Sequence, residues 1–159
     1  QNLIVGNAGI GNMEILDGAL VRTLDNTSAG VTIGAASTGV GSLLVDGQFT
    51  RLQVGDDLTV GGLGVGTLTI SNQAVVDADS SGNSTTIGAN GRVILSDGTL
   101  RFDSLTINGV LEGSGLLQGD GSGGGLITVN DSARISSGTD EVLQITESLN
   151  NQGTVDIEG

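Results

Sequence analysis

A short pattern of apolar residue, polar or variable residue, apolar residue and then glycine or asparagine recurs along the first two thirds of the chain. It reads Leu3-Ile4-Val5-Gly6, Val31-Thr32-Ile33-Gly34, Leu58-Thr59-Val60-Gly61, Thr85-Thr86-Ile87-Gly88 and Leu105-Thr106-Ile107-Asn108. The closing residues lie 28, 27, 27 and 20 positions apart. In Leu58-Thr59-Val60 the outer residues share one face and Thr59 takes the other, the period of a strand and not of a helix. A second strand follows each unit after a glycine-rich link: Met13-Glu14-Ile15, Leu43-Leu44-Val45, Leu68-Thr69-Ile70 and Val93-Ile94-Leu95. A turn comes next, at Asp17-Gly18, Asp46-Gly47, Asn72-Gln73 and Asp97-Gly98. A third, less regular strand is expected around Ala19 to Leu24, Phe49 to Val54, Ala74 to Ala78 and Thr99 to Phe102, and its inward parity is not fixed by the pattern.

A unit of this kind buries only one apolar face, and stacking units completes the core. Three strands and three bends running in one direction describe one coil of a parallel β-helix. The expected fold is therefore all-β: a single-stranded β-solenoid of about six to seven rungs, three strands per rung, at ~4.8 Å per rung. Three core columns follow. Val5, Ile33, Val60, Ile87 and Ile107 form one; Met13, Leu43, Leu68 and Val93 a second; Ile15, Val45, Ile70 and Leu95 a third. Glycine is needed in Gly61-Gly62-Leu63-Gly64-Val65-Gly66, where the backbone bends sharply and nears its neighbours above and below.

After Leu105 the pattern loosens. Gly113, Gly115, Gly119, Gly121, Gly123, Gly124 and Gly125 crowd one stretch, and strands resume at Leu126–Val129, Val142–Ile145 and Thr154–Ile157. Residues 1–159 are read as one solenoid domain, with regular units of about 27 residues over 1–104 and shorter, glycine-rich rungs over 105–159.

Composition narrows the function classes. Glycine is 29 of 159 residues and proline is absent, which excludes a collagen triple helix. The net charge is −13 and all cations are arginines, so nucleic acid and anionic lipid are not expected partners. Cysteine is absent, removing disulfides and thiolate metal sites. No apolar stretch reaches the length of a membrane span, and no membrane insertion is expected. Gln1 fits either a processed mature end or a cut fragment.

The segment LTVGGLGVGTLTISNQAVV, Leu58 to Val76, resembles the type V secretion/PEP-CTERM-associated repeat, and the units starting at Leu3, Val31 and Thr85 are similar but degenerate. The stretches GVLEGSGLLQGDGSGGG and NNQGTVDIEG resemble the Gly/Asn-rich rungs of large secreted β-helix adhesins. The resemblance covers most of the chain and implies an autotransporter-passenger-like or secreted adhesin-like protein, extracellular or at a bacterial cell surface. It implies a scaffold, without a particular ligand.

Catalysis is poorly served, because His, Cys, Lys and Tyr are all missing. The best acidic cluster is Asp77 and Asp79 near Arg51 and Arg101. Equal spacing would align Arg51, Val76 and Arg101 in one outward column beside Asp77. A cross-rung charge ladder is the expected reading. Only Phe49 and Phe102 could stack on a sugar. Asp56-Asp57, Asp77-Ala78-Asp79 and Gly119-Asp120-Gly121 are oxygen-rich turns; solvated turns are expected there, with structural calcium the alternative, and no other cofactor. Thr32, Thr59, Thr86 and Thr106 should make an outward ladder, but the neighbouring strand offers Glu14, Leu44, Thr69 and Ile94, not the second threonine column an ice-binding face needs.

The expected function is that of a structural, non-enzymatic solenoid. It would be a subunit of a head-to-tail filament or a segment of an adhesive stalk. Its partners would be copies of itself or the remainder of a longer passenger, met through edges at Leu3, Ile4, Val5, Val155 and Ile157. The alternatives are a polysaccharide-binding or polysaccharide-cleaving β-helix and, less favoured, a ligand-binding adhesin tip.

Overall fold

A computed structural model describes residues 2–23, 30–119 and 125–157. The expected strand end at Leu24 and the glycine-rich residues Asp120, Gly121, Gly123 and Gly124 lie outside these. Among the described residues there is no helix, and every strand pairing is parallel.

The chain is a β-solenoid of about six coils. The first is β1 (Leu3–Val5), β2 (Ile10–Ile15) and β3 (Leu20–Arg22). The second is β4 (Val31–Ile33), β5 (Val40–Asp46) and β6 (Arg51–Gln53), and the third β7 (Leu58–Val60), β8 (Val65–Ser71) and β9 (Val75–Ala78). The fourth is β10 (Ser84–Ile87) and β11 (Gly91–Phe102); the fifth is β12 (Ser104–Ile107) and β13 (Val110–Gly119). The sixth is β14 (Leu126–Val129), β15 (Arg134–Ser137) and β16 (Leu143–Ile145), and β17 (Ser148–Asn151) and β18 (Thr154–Ile157) begin a seventh. In the fourth coil the expected second and third strands run together as one, β11, and in the fifth a single long strand, β13, occupies a stretch where no strand was expected. Strands β15 and β17 have no counterpart in the sequence reading.

The first strands of each coil form a seven-stranded sheet, β1-β4-β7-β10-β12-β14-β17. Its register stacks Val5, Ile33, Val60, Ile87, Ile107 and Val129 in one column. The second face stacks Met13, Leu43, Leu68, Val93, Leu111 and Ile135, and beside them Ile15, Val45, Ile70, Leu95 and Gly113. On the third face Val21, Leu52, Val76, Leu100, Leu117 and Ile145 point inward. Ile33, Leu43, Val45, Val60, Leu68, Ile70, Ile87 and Ile107 are wholly buried, and each such side chain contributes about 1.5–3 kcal/mol on leaving water. Phe102, also wholly buried, sits between Ala78 and Gly119, so its bulk is matched by small residues on both neighbouring coils.

The bend from second to third face shows why its residues are Asp, Asn and Gly. Asp17 and Gly18 have φ of 57° and 76°, and Asn72 and Gln73 of 52° and 67°; a backbone bond from Ala19 to Leu16, or from Ala74 to Ser71, closes each turn. Phe49 is in such a turn, with φ of 69°, and is 81% exposed; the third strand of its coil begins only at Arg51. At the other bend Gly61 has φ of 71°, and a Cβ there would meet the Gly91 backbone nitrogen at 2.3 Å.

Candidate functional site

The terminal edges come first. β1 and β17 are the outer strands of the first sheet, and β2 and β18 those of the second. Leu3 is half-buried over Val31 and Val5 is buried over Ile33, while Ile4, in the threonine column, is 47% exposed. At the other end Leu149 lies under Ile127 and is 39% exposed, Val155 is half-buried under Ile135, and Ile157 is 55% exposed beside Ser137. Each of these strands carries residues of the core columns.

The third face holds three of the five arginines, Arg22, Arg51 and Arg101. The expected alignment of Arg51, Val76 and Arg101 does not form. Arg51 lies beside Val75, Arg101 lies beside Asp77, and Val76 is buried between Leu52 and Leu100. The cause is a bend whose length changes from coil to coil. From Glu14 to Leu20, Leu44 to Arg51, Thr69 to Val75, Ile94 to Thr99, Glu112 to Leu116 and Ser136 to Gln144, the register-matched positions are 6, 7, 6, 5, 4 and 8 residues apart. A constant repeat therefore mislays every residue past the bend.

What forms is a column of Arg22, Gln53, Asp77, Arg101 and Gln118. Arg22 Nε donates to Gln53 Oε1 at 2.8 Å, and Arg101 Nε donates to Gln118 Oε1 at 3.2 Å. Asp77, 6% exposed, is ion-paired by Arg51 Nη2 from the coil above. Arg51 Nε and Asp77 Oδ1, of the same ion pair, are both buried without a partner. Two further pairs tie later coils diagonally: Arg92 Nε to Glu112 Oε1 at 2.9 Å and Arg134 Nη2 to Asp156 Oδ2 at 3.2 Å.

Two carboxylates of the oxygen-rich turns have protein partners. Asp57 Oδ1 accepts from the Ser84 N–H at 2.8 Å and from its hydroxyl at 3.0 Å, and Asp77 takes its arginine. Asp120 lies outside the described residues. Among the described residues no three acidic side chains gather as a metal cage. The threonine column comprises Thr32, Thr59, Thr86 and Thr106, and it continues to Thr128, which the sequence reading missed. Its neighbours Leu44, Thr69 and Ile94 stack on the second face as expected.

One concave feature of the surface was not anticipated. The second-to-third bend is shortest in the fifth coil, between a bulge at Asp97 above and the 138–142 loop below. The result is a notch in that corner. Gly113 and Gly115 form its floor, with φ of 102° and 152°; a Cβ would meet Leu95 O at 2.0 Å and Gly98 O at 2.3 Å. On the second-face side is a recess of about 410 Å³ lined by Ile94, Ser96, Glu112, Arg134, Ser136 and Glu141, among others. On the third-face side is one of about 400 Å³ whose lining includes Gln73, Asp97, Thr99, Ser114, Val142 and Gln144. Ser137, behind the first, is at an inward position of β15, and its buried hydroxyl has no partner among the described residues. The signal in the sequence was a missing one: Gly113-Ser114-Gly115 stands where earlier coils have an Asp-Gly or Asn-Gln turn.

No protein-family model, no curated protein and no solved structure matches this chain.

Proposed function

We propose that this chain is a structural β-solenoid of a bacterial surface, without catalytic activity, working as a subunit of a head-to-tail filament or as a segment of an adhesive stalk. The observation that carries this reading is the one register in which the described coils stack, so that the first and last strands carry the same inward columns. An outer strand offers unpaired N–H and C=O groups to any further parallel strand, and here each edge lies beside exposed core residues. The columns at the two ends match in kind. Leu149 closes the column that Leu3 opens, and Val155 closes the one that Met13 opens. A further coil, from another copy or from the remainder of a longer passenger, would continue those columns without a change of pattern. A contact of this type propagates instead of closing into a dimer.

Other features support a scaffold role. His, Cys, Lys and Tyr are absent from the chain, and the most buried carboxylate among the described residues, Asp77, is held by Arg51. The extracellular setting rests on the resemblance of Leu58 to Val76 to repeats of secreted surface proteins, and the charge of −13 disfavours nucleic acid and anionic membranes as partners.

The test places charge in both edges with Ile4→Lys and Val155→Lys. The unmodified chain should show concentration-dependent growth by light scattering and rods by electron microscopy, and the double variant should remain monomeric. A stable monomer at high concentration that the double variant does not change would overturn the stacking.

A further inference from the structure

The geometry points to the notch in the fifth coil as a binding site for an oligomer of amino sugars. The two recesses lie on either side of the Gly113–Gly115 shortcut, so an extended ligand crossing the corner would touch both, where a compact one would fill only one. The walls carry hydroxyls and amides, the groups that bond sugar hydroxyls, with short apolar patches at Ile94 and Val142.

Charge selects among sugars. Glu112 is already neutralised by Arg92, and Arg134 by Asp156. Asp97 and Glu141 have no ion pair among the described residues, and one stands in the wall of each recess. The whole chain carries −13. An anionic sugar is therefore repelled, and a ring bearing a protonated amine is drawn in on both sides.

The recess is fixed by backbone. Side chains at Gly113 and Gly115 would collide with Leu95 and Gly98, so no ordinary substitution fills it from the floor. It can be filled from the walls: Ser136→Trp on one side and Gln144→Trp on the other put an aromatic on an outward strand position, which strands accept.

The 159-residue chain is titrated by calorimetry, at mildly acidic pH, with a glucosamine tetramer. The N-acetylglucosamine tetramer and a lysine tetramer serve as comparators, and circular dichroism follows the fold of each variant. The glucosamine tetramer should bind best. Each tryptophan variant, and Glu141→Gln, should weaken it by about tenfold, the scale of one charge-assisted hydrogen bond. Asp17→Asn, an acid on the same corner four coils away, should change nothing. Absence of binding, equal binding of the lysine tetramer, equal binding of the acetylated tetramer, or affinity indifferent to both tryptophans would each overturn the assignment.

Discussion

The first three coils and the next three enclose the same core with different corners. From Leu3 through Val31 and Leu58 to Thr85 the coils take 28, 27 and 27 residues; from Thr85 through Leu105 and Ile127 to Leu149 they take 20, 22 and 22. The faces barely change, since β4, β7, β10, β12 and β14 stack in one register. The residues are lost at the bends. Five residues, 79–83, separate β9 from β10, whereas Asp103 alone separates β11 from β12. The cost of the shorter bends falls on the core. The column that holds Ile15, Val45 and Ile70 in the longer coils continues through Leu95 to Gly113, so the coil with the shortest bend gives it no side chain at all. A solenoid face is thus a conserved geometry that tolerates large changes in its corners, and a corner is where a coil can acquire a concavity.

The sharpest way to break this comparison is to remove equal side chains from the same face in both regions. Ile70→Ala, at a wholly buried site, should cost roughly 2–5 kcal/mol in chemical denaturation. Ile157→Ala should cost less than about 1 kcal/mol, because little is buried there to lose. Equal losses would mean that the last strand is as well packed as the third coil. A smaller contrast lies in the ion pairs. Asp77→Asn breaks a pair whose carboxylate is 6% exposed but whose arginine is 38% exposed, and should cost about 1–3 kcal/mol, below the full penalty of a wholly buried pair. Asp156→Asn, with both partners about half exposed, should fall within about 1 kcal/mol and vanish in high salt. A salt-insensitive loss at Asp156 would contradict the exposure of that pair.

How far the sequence discloses this molecule follows from the same division. Faces are legible, because a two-residue period repeated every 27 residues leaves few alternatives: Val60, Ile70 and Leu95 could be placed in their columns from spacing alone. Bends are not, because a parallel coil of any length returns to register as long as its ends meet. The 6, 7, 6, 5, 4, 8 progression between second and third faces defeated equal spacing, put Val76 on the outside, and misplaced Arg101, whose register neighbour is Asp77, although a charge ladder between Asp77 and the arginines was expected. The same progression makes the notch, and so the candidate site was invisible for a physical reason: it is built from a deletion, with Gly113-Ser114-Gly115 in place of a turn. Strand β17 was hidden differently. Ser148-Leu149-Asn150-Asn151 carries a single apolar residue and lies in a strand only because β14 offers it a ladder.

The smallest expected effect sharpens the comparison most, because it concerns what the two regions share. Thr59 and Thr128 occupy one outward column of the first sheet, three coils apart, each half-buried and each flanked by threonine on the coil before it or after it. Thr59→Ala removes a β-branched side chain from a sheet surface without opening a cavity. The loss should be several tenths of a kcal/mol and no more than about 1, the span of strand propensity. Thr128→Ala should cost the same within about 0.3–0.5 kcal/mol, the margin within which well-separated sites behave independently. If it does, the first face is one surface, and every difference between the coils belongs to their bends. If Thr128→Ala costs markedly less in denaturation, the sixth coil opens before the rest. The division would then lie in the stability of whole coils instead of in their corners.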